Sequence, residues 1–143
     1  MKLWSNDFKE GAPLPDKCAY RKENLSPHLA WDDVPKDTKS FALICNDPDA
    51  PVGNWIHWLV HDIPPETRSI PTGGKVAGVE LKNDFGVAKW GGPAPPSGTH
   101  RYVFTLYALK IKCLVSAQKS SMKRLCEEEK IASAQLTGTY TKK

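Results

Sequence analysis

The chain has 143 residues, of which 40% are hydrophobic and 25% charged, as expected of an ordinary folded domain. Its formal net charge of +4 is scattered along the sequence without a dense basic stripe, which argues against nucleic-acid binding. No apolar run approaches the roughly 18 residues that a membrane-spanning helix needs, so we expect no membrane span.

The N-terminal residues and the cysteines indicate a cytoplasmic protein. Residues 1–7 lack the apolar segment of a signal peptide. The four cysteines are far apart and form no C-x-x-C pair, so we interpret them as reduced thiols that neither form disulfides nor bind zinc. They are Cys18, Cys45, Cys113 and Cys126.

In chain order, turn-rich residues 1–35 precede two strongly apolar runs. Residues 40–46 are apolar and too short for a typical helix, and residues 54–63 are rich in tryptophan, isoleucine and valine. Both patterns predict buried strands, each ended by prolines. Strict alternation in the second strand would place the side chains of Trp55 and His57 on one face, together with Leu59 and His61.

A loop rich in proline and glycine introduces the third predicted strand. Three prolines and three glycines lie between Gly91 and Gly98, and an apolar strand follows from Tyr102 to Leu109. Beyond it, the pattern predicts one helix over residues 118–132 and a last strand over residues 134–140. We expect residues 1–143 to form a single domain.

Three of these strands adjoin proline-containing segments that carry ionisable groups. If the strands are neighbours, Asp47, His57 and His100 converge on one pocket. A carboxylate beside two imidazoles would orient both rings, and the glycine-rich loop would add backbone N–H groups, so the pocket would suit a phosphate or carboxylate oxygen. The predicted wall consists of Trp55, Pro95 and Pro96.

Other interpretations of the same residues are open. A histidine in an apolar strand is often a hydrogen-bonded core residue, and Asp-Pro-Asp is often a turn. Asp47, His57 and His100 could form the acid–base set of a hydrolase, but no G-x-S-x-G motif occurs and Ser97 has no evident activating base. The same three residues could bind zinc, whereas His57 and His61 lie about 13 Å apart on a strand, too far for one ion.

Taken together, the motifs resemble those of the phosphatidylethanolamine-binding protein family, which includes the Raf kinase inhibitor protein. The similar segments are residues 47–51 (DPDAP), residues 55–60 (WIHWLV) and residues 92–104 (GPAPPSGTHRYVF). Residues 136–140 (LTGTY) are similar to the ending of the family's short bacterial and archaeal branch. The resemblance covers nearly the whole chain.

The resemblance implies a fold and a function. The fold is mainly β, with a large central antiparallel-rich sheet, a second smaller sheet and one or two short helices. The function is non-enzymatic and needs no cofactor or metal: a pocket binds phosphate, a phosphorylated head group or a small carboxylate, and the protein modulates a partner such as a kinase or a protease. The branch also suggests a homodimer.

The resemblance assigns roles to individual residues. Asp47, His57 and His100 match the pocket carboxylate and histidines, and Tyr102 the pocket tyrosine. The remaining matches form the rim and wall of the pocket. They are Pro96 at the rim, Pro51 after a cis bond, Pro95, and the supporting residues Asp49 and Trp55. Ala94 replaces a glycine that many eukaryotic members have before Pro-Pro, which weakens the expectation of a backbone donor there.

Overall fold

A computed structural model describes residues 1–143 and contains two antiparallel sheets and one α-helix. The mainly β fold predicted from the sequence is confirmed. The strands are β1 (Lys2–Trp4), β2 (Leu29–Asp32), β3 (Ser40–Asp47), β4 (Trp55–Ile63), β5 (Ser69–Ile70), β6 (Val79–Glu80), β7 (Thr99–Leu109) and β8 (Lys130–Thr141). The helix α1 spans Met122–Glu129, and a short 3-10 helix spans Asp16–Cys18. No helix is long and apolar enough to cross a bilayer.

The larger sheet has the strand order β6-β4-β3-β7-β8, and the smaller one β1-β2-β5. β3 therefore lies between β4 and β7, and it pairs with both in antiparallel fashion. In that arrangement the C-terminal end of β3 lies beside the N-terminal ends of its two neighbours, at the same end of the sheet. Asp47 is paired with Trp55 there, and Asn46 with Val103.

The two faces of the larger sheet carry different cores. One face packs against the smaller sheet and the N-terminal segment in a cluster of 22 buried residues that includes Trp31, Trp58 and Phe104. The other face carries a smaller cluster in which Met122 and Cys126, one helical turn apart, face the sheet. Apolar burial on both faces explains why β3 reads as a continuous apolar run.

The helix is shorter than the sequence predicts, and the last strand is longer. Residues 118–121 form a turn, in which the N–H of Ser121 donates to the carbonyl oxygen of Gln118 (3.0 Å). At the other end, β8 begins at Lys130, which pairs with Leu109 of β7. After Glu129, pairing with β7 therefore prevails over the helical pattern of the sequence.

The strict alternation predicted for β4 is wrong because the strand contains a β-bulge at His57. Cys45 of β3 pairs with Trp58 and Asn46 pairs with Ile56, which leaves His57 as an extra residue. The rings of His57 and Trp58 both face Trp90, with centroid distances of 6.4 and 5.6 Å. A bulge of this kind redirects a side chain, and here it places His57 on the face that carries the larger core.

Candidate functional site

A cavity of about 220 Å³ lies at the end of the larger sheet where β3 ends and β4 and β7 begin. All the predicted site residues line it except Asp49. The lining residues that were predicted are Asp47, Pro51, Trp55, His57, Ala94, Pro95, Pro96, His100 and Tyr102. Ala50, Val52 and Phe85 complete the lining, and sequence reasoning missed all three. We call this cavity the histidine pocket.

Asp47 and His100 form a buried pair in this pocket. The Nδ1 of His100 lies 2.6 Å from Oδ2 of Asp47, and the side chains are only 9% and 5% exposed. The other oxygen, Oδ1, accepts the backbone N–H of Asp49 at 2.7 Å. Both carboxylate oxygens are therefore engaged, the His100 ring is fixed in orientation, and Nε2 is its free nitrogen.

His57 is held by a backbone carbonyl rather than by Asp47, contrary to the expectation that one carboxylate orients both rings. Its Nδ1 donates to the carbonyl oxygen of Gly91 at 2.5 Å. Since a carbonyl can only accept, Nδ1 carries the proton and Nε2 of the neutral ring is an acceptor. Burial lowers the pKa of His57, and this outweighs the opposite effects of the Gly91 carbonyl and the Asp47 charge.

Two buried donors at the pocket have no acceptor in the protein. These are the hydroxyl of Tyr102, a fully buried residue, and the indole N–H of Trp55. Burial raises the pKa of Tyr102 far above its ordinary value, so the phenol keeps its proton. Both residues line the histidine pocket, and because buried polar groups are nearly always hydrogen-bonded, these two unpaired donors are candidates to bind an acceptor atom of a ligand.

A loop between β6 and β7 closes one side of the pocket. The side-chain amide of Asn83, a buried residue, donates to the carbonyl oxygen of His57 at 3.0 Å. The ring of Phe85 meets those of Trp55 and His57 edge to face, each at a centroid distance of 5.5 Å. The only local signal was the turn-like sequence Asn-Asp-Phe-Gly at residues 83–86, which does not reveal contacts to β4.

The proline-rich rim is anchored on the N-terminal segment. The N–H of Gly92 donates to the side-chain oxygen of Asn24 at 2.7 Å. A Cβ atom at Gly92 would lie 1.9 Å from the carbonyl oxygen of Cys18, so only glycine fits. This close approach fixes where the following residues, 93–96, border the pocket.

Asp49 lies outside the cavity and ties its two supporting segments together. Its carboxylate accepts the backbone N–H of Arg101 at 3.0 Å and two guanidinium donors at 3.0 and 2.8 Å. These side-chain bonds lower the pKa of Asp49 to about 2. The bidentate pair holds the loop after β3 against the start of β7, and so against His100.

The cis bond expected before Pro51 is absent, because every peptide bond in the structure is trans. Instead, the N–H of Gly53 donates to the carbonyl oxygen of Ala50 at 2.8 Å. Pro51 therefore occupies the second position of a β-turn, which favours a trans proline, whereas a cis proline occupies the third position.

The other candidate groups lie elsewhere. His61 bonds to the neighbouring Asp62 (2.8 Å), and neither His61 nor Ser97 lines the histidine pocket. No group of three or more histidine, cysteine or acidic side chains is arranged to hold a metal ion. The four cysteines form no disulfide, and only Cys113 is exposed.

Comparison with known proteins decides the family. The sequence model of the phosphatidylethanolamine-binding proteins matches residues 4–141, nearly the whole chain. This chain belongs to the phosphatidylethanolamine-binding protein family. The family resemblance stated from the sequence motifs is therefore confirmed.

Relatives of this family occur in bacteria. The UPF0098 protein YbhB of Escherichia coli K12 is 50% identical, and the match covers 78% of this chain and 80% of the relative. A UPF0098 protein of Aquifex aeolicus is 39% identical, and the match covers 98% of this chain and 88% of the relative. These names assign no activity.

Solved structures of family members share the fold. A crystal structure of a phosphatidylethanolamine-binding protein homologue from Chlamydia trachomatis is 34% identical, with a TM-score of 0.93 and coverage of 99% of this chain and 97% of that one. The E. coli protein YbcL, also 34% identical, gives a TM-score of 0.92 and covers 99% and 98%.

Proposed function

We propose that this protein binds a small anion in the histidine pocket and is not an enzyme. The ligand class is phosphate, a phosphorylated head group such as phosphoethanolamine, or a small carboxylate. The observation that carries the proposal is the pair of buried, unpaired donors on Tyr102 and Trp55 beside two fixed imidazoles. An anionic oxygen would supply the acceptors that these donors lack.

The donor and acceptor pattern favours a partly protonated phosphate. Tyr102 and Trp55 donate. Asp47 holds the Nδ1 side of the His100 ring, which leaves Nε2 of that ring free for a ligand. The neutral ring of His57 offers an acceptor at Nε2, which suits the P–OH of a phosphate monoanion.

The size of the pocket limits the ligand. Pockets for drug-sized molecules are about 300–1,000 Å³, whereas the histidine pocket measures about 220 Å³. A phosphate or a short head group fits that space and an entire lipid does not. The ligand would therefore be a free small anion or the head group of a larger molecule.

The lining also favours binding over hydrolysis by Asp47, His57 and His100. No serine, threonine, cysteine or lysine lines the histidine pocket, so the aliphatic hydroxyl, thiol and amine nucleophiles that many hydrolases and transferases use are missing from its lining. Both oxygens of Asp47 are engaged, and the raised pKa of Tyr102 keeps it a weak nucleophile.

The proposed biological role is modulation of a protein partner, such as a kinase or a protease. Ala94 and Pro96 line the histidine pocket and are also exposed on the outer surface. A ligand in the pocket would therefore contact the same rim that a partner could touch. Ligand occupancy could thereby alter the affinity for that partner.

Calorimetric titration with phosphoethanolamine at pH 6 and pH 8 tests the binding function. We expect His57→Ala and His100→Ala each to weaken binding about 10- to 150-fold, the effect of losing a charge-assisted hydrogen bond. His28→Ala is the matched control, because His28 does not line the pocket. Circular dichroism checks folding, and unchanged affinity in both folded pocket variants would overturn the proposal.

A further inference from the structure

A second cavity lies on the other side of the proline-rich rim. It measures about 370 Å³, and Ala94, Pro95 and Pro96 line both it and the histidine pocket. Four basic side chains also line it and give it a strongly positive character. They are Arg21, Lys22, Lys142 and Lys143, and we call this cavity the basic cleft.

The positive charge of the basic cleft is largely uncompensated. No acidic residue lines it. Arg21, Lys22 and Lys142 form no ion pair, whereas Lys143 lies 3.7 Å from the carboxylate of Asp16. Together with a hydrogen bond from Tyr140, the charges of Lys143 and Lys22 lower the pKa of Asp16.

The lysine-containing groove beside α1 differs from the basic cleft in this respect. There, Lys119 pairs with Asp84 at 2.6 Å and Lys130 pairs with Glu127 at 2.8 Å. The basic cleft therefore carries the stronger unpaired positive charge of the two.

Backbone hydrogen bonds fix the segments that carry these exposed basic side chains. The N–H of Tyr20 donates to the carbonyl oxygen of Pro93 (3.0 Å), and that of Lys142 donates to Gly98 (2.9 Å). Both basic segments are thus tied to the proline-rich loop. The Lys143 ammonium lies 5.5 Å from the ring centre of Tyr140.

We propose that the basic cleft is a docking site for an acidic segment, rich in aspartate and glutamate, of a partner protein. Charge complementarity carries this inference, because two separate basic segments line one open cleft whose lining contains no acidic residue. Exposed lysines suit a succession of carboxylates on an extended chain, whereas the histidine pocket presents buried donors to one small anion. The assignment of a partner protein rests on the proposed function. Binding of an acidic peptide to the basic cleft is independent of that function.

Fluorescence anisotropy with a labelled peptide of alternating glutamate and glycine tests the inference. We expect binding that weakens steeply with salt, and affinity about tenfold lower in the double variant Arg21→Gln/Lys22→Gln. Lys36→Gln/Lys39→Gln is the matched control, since it removes the same charge from exposed residues elsewhere. We expect the control to bind like the wild type.

The outcomes separate this inference from the histidine pocket. His100→Ala should retain peptide binding even where it loses phosphoethanolamine. No peptide binding, or equal losses in the two double variants, would overturn the docking site and leave the anion pocket untouched. If Arg21→Gln/Lys22→Gln instead abolishes sedimentation with phosphatidylserine vesicles while the peptide does not bind, the basic cleft contacts membranes and the inference is wrong.

Discussion

Removing the hydroxyl of Tyr102 should stabilise the free protein and weaken its ligand binding, two effects of opposite sign. Tyr102 is fully buried and its hydroxyl has no partner. An unpaired buried polar group costs about 1–3 kcal/mol. Because this residue borders a cavity as well as the larger core, we take the lower end and expect Tyr102→Phe to raise the free energy of unfolding by about 1 kcal/mol.

Calorimetry can measure both effects. For a chain of this size, about 1 kcal/mol corresponds to a rise in Tm of about 3 °C. Loss of one hydrogen bond to a charged ligand oxygen should weaken phosphate binding by about 1.5–3 kcal/mol. Differential scanning calorimetry gives the first value, and isothermal titration with phosphate gives the second.

Tyr140→Phe is the matched control for this experiment. The hydroxyl of Tyr140 donates to Asp16 at 2.7 Å, so its removal should lower the Tm and leave phosphate affinity unchanged. A Tyr102→Phe protein with a lower Tm and wild-type phosphate affinity would contradict this prediction, because the hydroxyl would then be hydrogen-bonded within the protein.

Three further substitutions test the electrostatics of the site. Asp47→Ala leaves the buried His100 without its acceptor, so urea unfolding should show a loss of about 3 kcal/mol; a loss below about 1 kcal/mol would contradict the pairing. The lowered pKa of Asp49 beside Arg101 adds stability that is present above pH 3.8 and lost as the pH falls toward about 2, so Asp49→Asn should flatten the acid limb of a Tm-against-pH curve. The lowered pKa of His57 makes the unfolded chain the better proton acceptor, so stability should fall as the pH drops below 6.5, and an unchanged slope in His57→Gln would contradict its burial as a neutral ring.

The sequence predicted the meeting of Asp47, His57 and His100 because each lies at the end of a strongly apolar strand. Such strands tend to be sheet neighbours, and β4, β3 and β7 are adjacent. The family motifs added Tyr102 and the prolines. Their convergence on one cavity follows from the strand order, in which β3 lies between β4 and β7.

The details that determine the chemistry could not be predicted in this way. The bulge at His57 depends on how β3 and β4 align, and a period-two pattern assumes that no residue is extra. Phe85 and Asn83 contact β4 from a distant loop whose sequence indicates only a turn. The partner of the His57 ring is a backbone oxygen, and sequence patterns do not reveal where a particular carbonyl points.

The most direct test of the anion pocket is the indole N–H region of an ¹H–¹⁵N NMR spectrum during phosphate titration. We expect a saturable downfield shift of the Trp55 indole proton as it acquires an acceptor. Trp31 is an internal control, because its indole N–H is also buried and unpaired but the residue does not line the pocket. A Trp55 resonance that stays fixed, or that moves no more than that of Trp31, would contradict anion binding in the histidine pocket.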